Sequence, residues 1–178
     1  MRVIAGEFRG RILKSLPGLD TRPTPDRLRE ALFNVLAPRI EGATFADLYA
    51  GTGAVGIEAL SRGAARAIFV EGSRTAAAVI GANLDALGIR PRAILHRARV
   101  SAVLAGLEAD IYFLDPPYLL VEEYARRMAA LGEKKPPLVI AQHASRLSLE
   151  DSYGGLKRTR VLRQGDNSLS FFEPFRAF

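Results

Sequence analysis

The stretch Thr44-Phe-Ala-Asp47-Leu-Tyr-Ala-Gly51-Thr-Gly53-Ala-Val-Gly56 sets the architecture. A short apolar strand, Thr44–Tyr49, runs into a glycine turn and then into a helix that reaches about Arg62. The turn has the form G-x-G-x-x-G. Gly51 and Gly53 let the backbone reverse tightly and approach a ligand, and Gly56 lets the helix pack close to the sheet. The N–H groups that open the helix have no partner within it and face whatever the turn holds. Small residues at strand–helix turns also serve packing, so the context must add weight. It does: Ala67–Glu71 is the next strand, and Glu71 lies twenty residues past Gly51, where a carboxylate can accept both ribose hydroxyls of an adenosine.

The strand–helix alternation continues beyond Glu71. A helix is expected from about Arg74 to Leu87, a strand over Ala93–His96, a helix near Val100–Leu107 and an apolar strand over Ile111–Leu114. A helix from about Val121 to Leu131 and a strand over Leu138–Ala141 follow. Such alternation makes a parallel sheet with helices on both faces. The tail differs. Leu156–Arg163 and Ser168–Phe172 are strands joined by Gly165-Asp166-Asn167, a hairpin turn. Upstream, residues 2–5 and 11–14 read as a short basic hairpin punctuated by Gly6 and Gly10. Leu16 to Arg22 reads as a linker. Thr24 stands as an N-cap with Pro25 at the first helical position. Leu28, Leu32, Val35 and Leu36 then share one helical face, and Pro38 is placed to stop that helix. The expected fold is α/β: a seven-stranded, mostly parallel sheet with an antiparallel C-terminal hairpin and a small N-terminal β-hairpin. The expected division is 1–20 for the basic extension and 21–178 for the main domain.

Composition narrows the chemistry. The chain of 178 residues has no cysteine and two histidines, which removes disulfides, thiolate zinc sites and cysteine nucleophiles and leaves no expectation of a metal. No apolar run is long enough to span a bilayer, so neither a membrane partner nor a membrane location is expected; a chain without cysteine fits the cytoplasm. The net charge of +6 is loaded at the ends: residues 1–39 carry +4, residues 40–151 carry −1 and residues 152–178 carry +3. Of the 25 basic residues, 21 are arginine, which suits phosphate and base stacking but also fits a simple genomic preference. A polyanion would meet the end-loaded charge as a patch.

Two adenosine cofactors remain, a nicotinamide dinucleotide and S-adenosylmethionine. Asp47 precedes the glycines by four positions, where a carboxylate can meet a positively charged amino group and would repel a pyrophosphate. No hydride-transfer partner is evident. Both points favour S-adenosylmethionine. Asp115-Pro116-Pro117-Tyr118 then follows the strand Ile111–Leu114, on the edge where open α/β sheets hold their ligands. The rigid Pro-Pro turn pairs a carboxylate with a free carbonyl, two acceptors for the two hydrogens of an exocyclic amine. Tyr118 offers a flat face for a nucleobase. His143 reads as a structural strand-end histidine, Arg126-Arg127 as a solvated helix face, and Phe171, Phe172, Phe175 and Phe178 as packing residues.

The glycine turn and the Asp-Pro-Pro-Tyr loop together resemble the amino-directed class I (Rossmann-like) methyltransferases. Arg2 to Arg11, Arg22 to Phe33, Gly56 to Ala64 and Leu114 to Tyr118 narrow this to a resemblance to the RsmD family, bacterial 16S rRNA guanine-N2 methyltransferases, over nearly the whole chain. The resemblance implies that Asp47, Gly51, Thr52, Gly53, Glu71 and Ala98 meet S-adenosylmethionine. It implies that Asp115, Pro116 and Tyr118 hold the target amine. Arg2, Arg9 and Arg11 would hold rRNA, and Arg22, Thr24 and Arg27 would lie near the cofactor or the target nucleotide. It further implies 16S rRNA within a partly or fully assembled 30S subunit as the partner; no apolar seam beyond the core is visible in the sequence, so a monomer is expected. The chain departs from the family at His96-Arg-Ala98-Arg99, where Asp or Asn followed by Ala is usual, and at Gln142-His143, where Glu-His is common. A weaker adenine site or a backbone-only contact follows from the first. The rival readings are an adenine-N6 DNA methyltransferase, since the same loop serves either amine, and an rRNA-binding assembly factor without turnover.

Overall fold

The computed structural model describes residues 1–17, 25–117 and 120–176. Its framework is one sheet of eight strands in the order β3-β2-β1-β4-β5-β8-β7-β6. The strands are β1 Thr44–Leu48, β2 Arg66–Val70, β3 Ala93–His96, β4 Ile111–Leu114, β5 Leu138–Ala144, β6 Ser152–Tyr153, β7 Leu156–Gln164 and β8 Asn167–Pro174. β1 to β5 are parallel, and β8 enters antiparallel beside β5. The sheet thus has one strand more than the seven expected. The extra strand, β6, is two residues long and pairs only with Leu156 and Lys157. It carries no hydrophobic alternation of its own. A close backbone approach fixes it instead: a Cβ on Gly132 would lie 2.2 Å from the Tyr153 carbonyl oxygen.

The central strands are apolar on both faces because helices cover both. Phe45, Phe69, Phe113 and Ile140 point to one face and Leu48, Val70, Leu114 and Val139 to the other. The first face is covered by α1 Asp26–Ile40, α2 Ala54–Ser61 and α3 Arg74–Leu87, the second chiefly by α5 Val121–Lys134. The helix expected near Val100–Leu107 is a single turn, α4 Val100–Val103, that tightens into a 3-10 turn. Pro38 does not stop α1, which continues to Ile40. A proline in the last turn removes one backbone bond, and the extended Glu41 and left-handed Gly42 (φ +75°) end the helix instead. Pro25 sits at the N-cap, one place earlier than expected; Thr24 lies outside the described residues. Among the described residues no helix is long and apolar enough to cross a membrane.

The N-terminal segment is less of a hairpin than its sequence suggests. Three backbone bonds (Val3 N–H to Arg11, Gly10 N–H to Val3, Leu13 N–H to Met1) hold a single bridge, Arg2 opposite Ile12. Part of the intervening backbone bonds within the arm (Arg9 N–H to the Gly6 carbonyl, Arg11 N–H to the Phe8 carbonyl), and part bonds α2. Ile4 and Ala5 N–H donate to the Glu58 carboxylate at 2.9 and 3.0 Å, and Phe8 N–H donates to Ser61 Oγ at 3.0 Å. α2 is therefore buried along its whole length, with the sheet on one side and this arm on the other. Glu58 is fully buried and also meets Arg62 Nε at 3.0 Å and Arg29 Nε at 4.0 Å. Arg29 donates to the Arg2 carbonyl at 2.5 Å. Removing one partner from such a cluster strands the others without water. Glu58→Ala should therefore lower unfolding free energy by about 3–5 kcal/mol in urea titrations, and Glu58→Gln, which keeps an acceptor, by less.

Candidate functional site

The register of the sheet brings the site together. Leu48 pairs with Val70 on one side and with Leu114 on the other. The residues just beyond, Tyr49, Glu71 and Asp115, thus leave the sheet at one level. With neighbouring strands about 4.8 Å apart, the backbones of Glu71 and Asp115 stand roughly 10 Å apart across β1. The glycine turn begins in the space between them.

Asp47 anchors that turn from below. It is 2% exposed, and its Oδ2 accepts the Gly56 N–H at 2.9 Å. α2 has no capping side chain at Gly53, so a carboxylate from β1 caps it instead and sets a negative charge against the helix start. Burial pushes the Asp47 carboxyl well above the usual range, against the Gly56 hydrogen bond; the nearby Asp115 and Glu71 carboxylates push it further. Gly51 and Gly53 adopt φ of +58° and +82°. Gly56 is required by space: a Cβ there would lie 2.3 Å from Phe69 Cε1.

Glu71 closes the turn from the β2 side. One carboxylate oxygen accepts the Gly51 N–H at 2.7 Å and the other the Ser73 N–H at 2.9 Å. Each oxygen keeps a second lone-pair direction, so the residue can hold the turn and still accept a hydroxyl. Ala98 comes in from the end of β3: its carbonyl oxygen lies 3.8 Å from a Cβ built on Gly72. A backbone carbonyl is thus available there despite the unusual residues around it.

Asp115 opens the loop after β4. Burial pushes its carboxyl up to about 7, although the residue keeps a partly exposed edge. Pro116 is buried and Pro117 exposed. The Pro117 carbonyl accepts the Leu120 N–H at 2.9 Å, whereas no backbone N–H of the described residues occupies the Pro116 carbonyl. Tyr118 lies outside the described residues, as do Arg22 and Thr24. Arg27 is exposed at the start of α1. Arg2, Arg9 and Arg11 are exposed on the arm, and Arg11 donates to the Ala86 carbonyl at 3.2 Å.

Several residues take parts that pattern reading does not give. Arg126 is solvated and pairs with Glu122, but Arg127 is not on a solvated face: its side chain is 14% exposed and meets Glu123 at 3.7 Å. Glu123 in turn accepts the Tyr49 hydroxyl at 2.5 Å. Burial, then this bond, raise the Tyr49 hydroxyl above its ordinary value. The contact links the end of β1 to the helix that follows the Asp115 loop. Tyr49 also has φ +61°, uncommon for a bulky side chain. Its place between Asp47 and Gly51 was the available signal. His143 is structural: its ring contacts Ser170 Oγ at 2.8 Å and the Ala144 carbonyl at 2.9 Å, and burial lowers its pKa. Phe171 and Phe172 are core, and Phe175 is 55% exposed; Phe178 lies outside the described residues.

The raised Asp115 carboxyl has a measurable consequence. Its folded value exceeds the unfolded one, so ionised Asp115 opposes folding, and stability falls as pH rises from about 4 through 7. Asp115→Asn should stabilise the chain by roughly 1 kcal/mol at pH 8 and change little at pH 4, read from paired urea titrations.

A Bacillus subtilis (strain 168) protein provisionally named rRNA methyltransferase YlbH is 34% identical over 183 residues, covering 97% of this chain and 98% of the relative. Ribosomal RNA small subunit methyltransferase D of Escherichia coli (strain K12) is 43% identical over 121 residues, covering 66% of this chain and 60% of the relative. The solved structure of the Escherichia coli protein provisionally named methyltransferase yhhF matches with a TM-score of 0.84 at 33% identity, covering 98% of this chain and 97% of that one. The family model described as "Conserved hypothetical protein 95" matches residues 1–173, and the chain belongs to that family, the RsmD methyltransferases.

Proposed function

We propose that the protein transfers a methyl group from S-adenosylmethionine to the exocyclic N2 amine of a guanine in 16S rRNA. One observation carries the reading. Asp47, Glu71 and Asp115 converge around a turn with two left-handed glycines, next to a rigid loop with two amine acceptors. Three carboxylates suit a ligand that carries positive charge and oppose a pyrophosphate. The donor set therefore fits S-adenosylmethionine, with Glu71 toward the ribose, Gly51, Thr52 and Gly53 along the turn, Asp47 toward the charged end and the Ala98 backbone toward adenine. The bound cofactor supplies an electrophilic methyl group.

The chain's own residues prepare the acceptor. The lone pair of a guanine amine is delocalised into the ring and is a poor nucleophile. Asp115 and the Pro116 carbonyl each accept one N–H, which favours a pyramidal nitrogen and fixes its direction. Asp115, ionised above about pH 7, then accepts the proton that the nitrogen sheds. Tyr118 supplies the stacking face. The exposed Arg2, Arg9 and Arg11 meet the phosphate backbone, and Arg22, Thr24 and Arg27 lie toward the target nucleotide or the cofactor. The guanine-N2 target follows from the resemblance to the RsmD family. The named rRNA methyltransferases among the relatives support the substrate class. A monomer acting on 16S rRNA within a partly or fully assembled 30S subunit completes the reading.

The test is radiolabel transfer to 30S subunits, naked 16S rRNA and duplex DNA, with mass mapping of the modified nucleoside. N2-methylguanine in rRNA supports the reading; N6-methyladenine in DNA overturns it. Asp115→Ala should cut kcat by about 10²–10⁴-fold while calorimetry still detects S-adenosylmethionine. Near wild-type turnover in that variant would sink the catalytic assignment. In the wild type, kcat/KM for the RNA should rise with pH through a midpoint near 7, since the protonated acid cannot accept the proton that the nitrogen sheds. Asp115→Asn should flatten that limb.

A further inference from the structure

Asn83 lies on α3, outside every residue assigned above. It is 2% exposed and spends its whole amide on two backbones. Its Oδ1 accepts the Lys14 N–H at 2.8 Å. Its Nδ2 donates to the Lys14 carbonyl at 3.2 Å and to the Thr52 carbonyl at 3.1 Å. The chemistry fixes the orientation of the amide. Flipped, it would set donors against the Lys14 N–H and an acceptor against two carbonyls.

The two backbones belong to different jobs. Lys14 follows the buried Leu13 of the N-terminal arm and is itself exposed. Thr52 lies between the two left-handed glycines of the cofactor turn. A second contact runs directly between arm and turn, with Met1 Sδ 4.0 Å from Thr52 Oγ1. The arm's backbone is spoken for by Glu58, Ser61 and Asn83, whereas Arg2 and Arg9 show no ion pair to another side chain among the described residues. A polyanion would thus grip side chains whose backbone is tied to the turn.

We propose that Asn83 is a positioning residue that joins the arm to the cofactor turn, so that RNA held by the arm and cofactor held by the turn strengthen each other's binding. The proposal rests on the reading of the site given above. Ordering either partner of Asn83 lowers the entropic cost of ordering the other, and the effect is reciprocal by linkage.

The experiment is calorimetric titration of S-adenosylmethionine into the full chain, with and without a 16S rRNA transcript. The wild type should bind the cofactor at least about fivefold more tightly with RNA present. Asn83→Ala should bring that ratio close to one. Asn83→Asp keeps the shape and the acceptor for Lys14 N–H but turns a carboxylate on two carbonyls. Its cofactor affinity at pH 8 should fall at least as far as that of Asn83→Ala. Relative to wild type at the same pH, it should recover as the pH drops to 5 and the introduced carboxyl regains a donor. A role in packing alone would lower the melting temperature and leave both the RNA ratio and this pH recovery unmoved. A wild-type ratio of one overturns the proposal, as does an unchanged ratio in both variants; the wild-type ratio decides where a variant does not fold. A chain that methylates rRNA yet shows a ratio of one overturns the coupling alone. A chain that neither binds S-adenosylmethionine nor methylates RNA overturns the earlier reading.

Discussion

The hydrogen bond from Gly56 N–H to the buried Asp47 carboxylate is the constraint on which the site depends. It spans the turn from strand to helix, so it fixes where α2 starts relative to β1. The absence of a side chain at Gly56 lets that start press against Phe69. Lengthening the turn or adding a Cβ would move the helix, and with it the open N–H groups that face the ligand. The carboxylate is costly there, because it is dry and has Asp115 and Glu71 for neighbours. The helix start offsets part of that cost. What remains is a buried acid pushed toward its neutral form, which a cation bound beside it would draw back toward ionisation.

The local part of this arrangement was legible in the sequence. Strand, glycine turn and helix follow each other within residues 44–62, and each has its own period and its own punctuation. Glu71 and Asp115 were legible because both sit at the ends of apolar strands, and parallel strands in one sheet end at one edge. The features that pattern reading misses are pairings across long separations. Asn83 touches a residue 69 positions away, and Glu58 one 54 positions away. On their helices these residues follow no rule that distinguishes a buried partner from a solvated one. Arg127 shows the same limit: beside Arg126 it reads as exposed charge, and only the fold turns it toward Glu123. β6 was missed because two residues held by a neighbouring glycine carry no strand pattern.

The arm explains how α2 can be buried on every side and still belong to a stable chain. Its eight residues are all buried, so its outer face needs a cover. Residues 1–13 provide it with backbone as much as with side chains. Val3 and Leu13 are buried, while Glu58 and Ser61 accept the arm's N–H groups. Backbone donors laid on an apolar helix would otherwise be buried without partners. One acid and one hydroxyl at a one-turn spacing make the cover tolerable.

The same cover accounts for the placement of charge. Arg29 is wholly buried, and its Nε and Nη1 lack hydrogen-bond partners among the described residues. Burial lowers its pKa, while Glu58 and Asp26 raise it. A cation so placed is a poor contributor to net stability, yet it fixes the Arg2 carbonyl at 2.5 Å and so holds the first residues against α1. Positive charge at the N-terminal end is thereby divided between two tasks. Arg29 and Arg62 spend theirs inward on Glu58, and Arg2, Arg9 and Arg11 keep theirs on the surface. The outward charges are useful to a polyanion only because the inward ones hold the backbone that carries them.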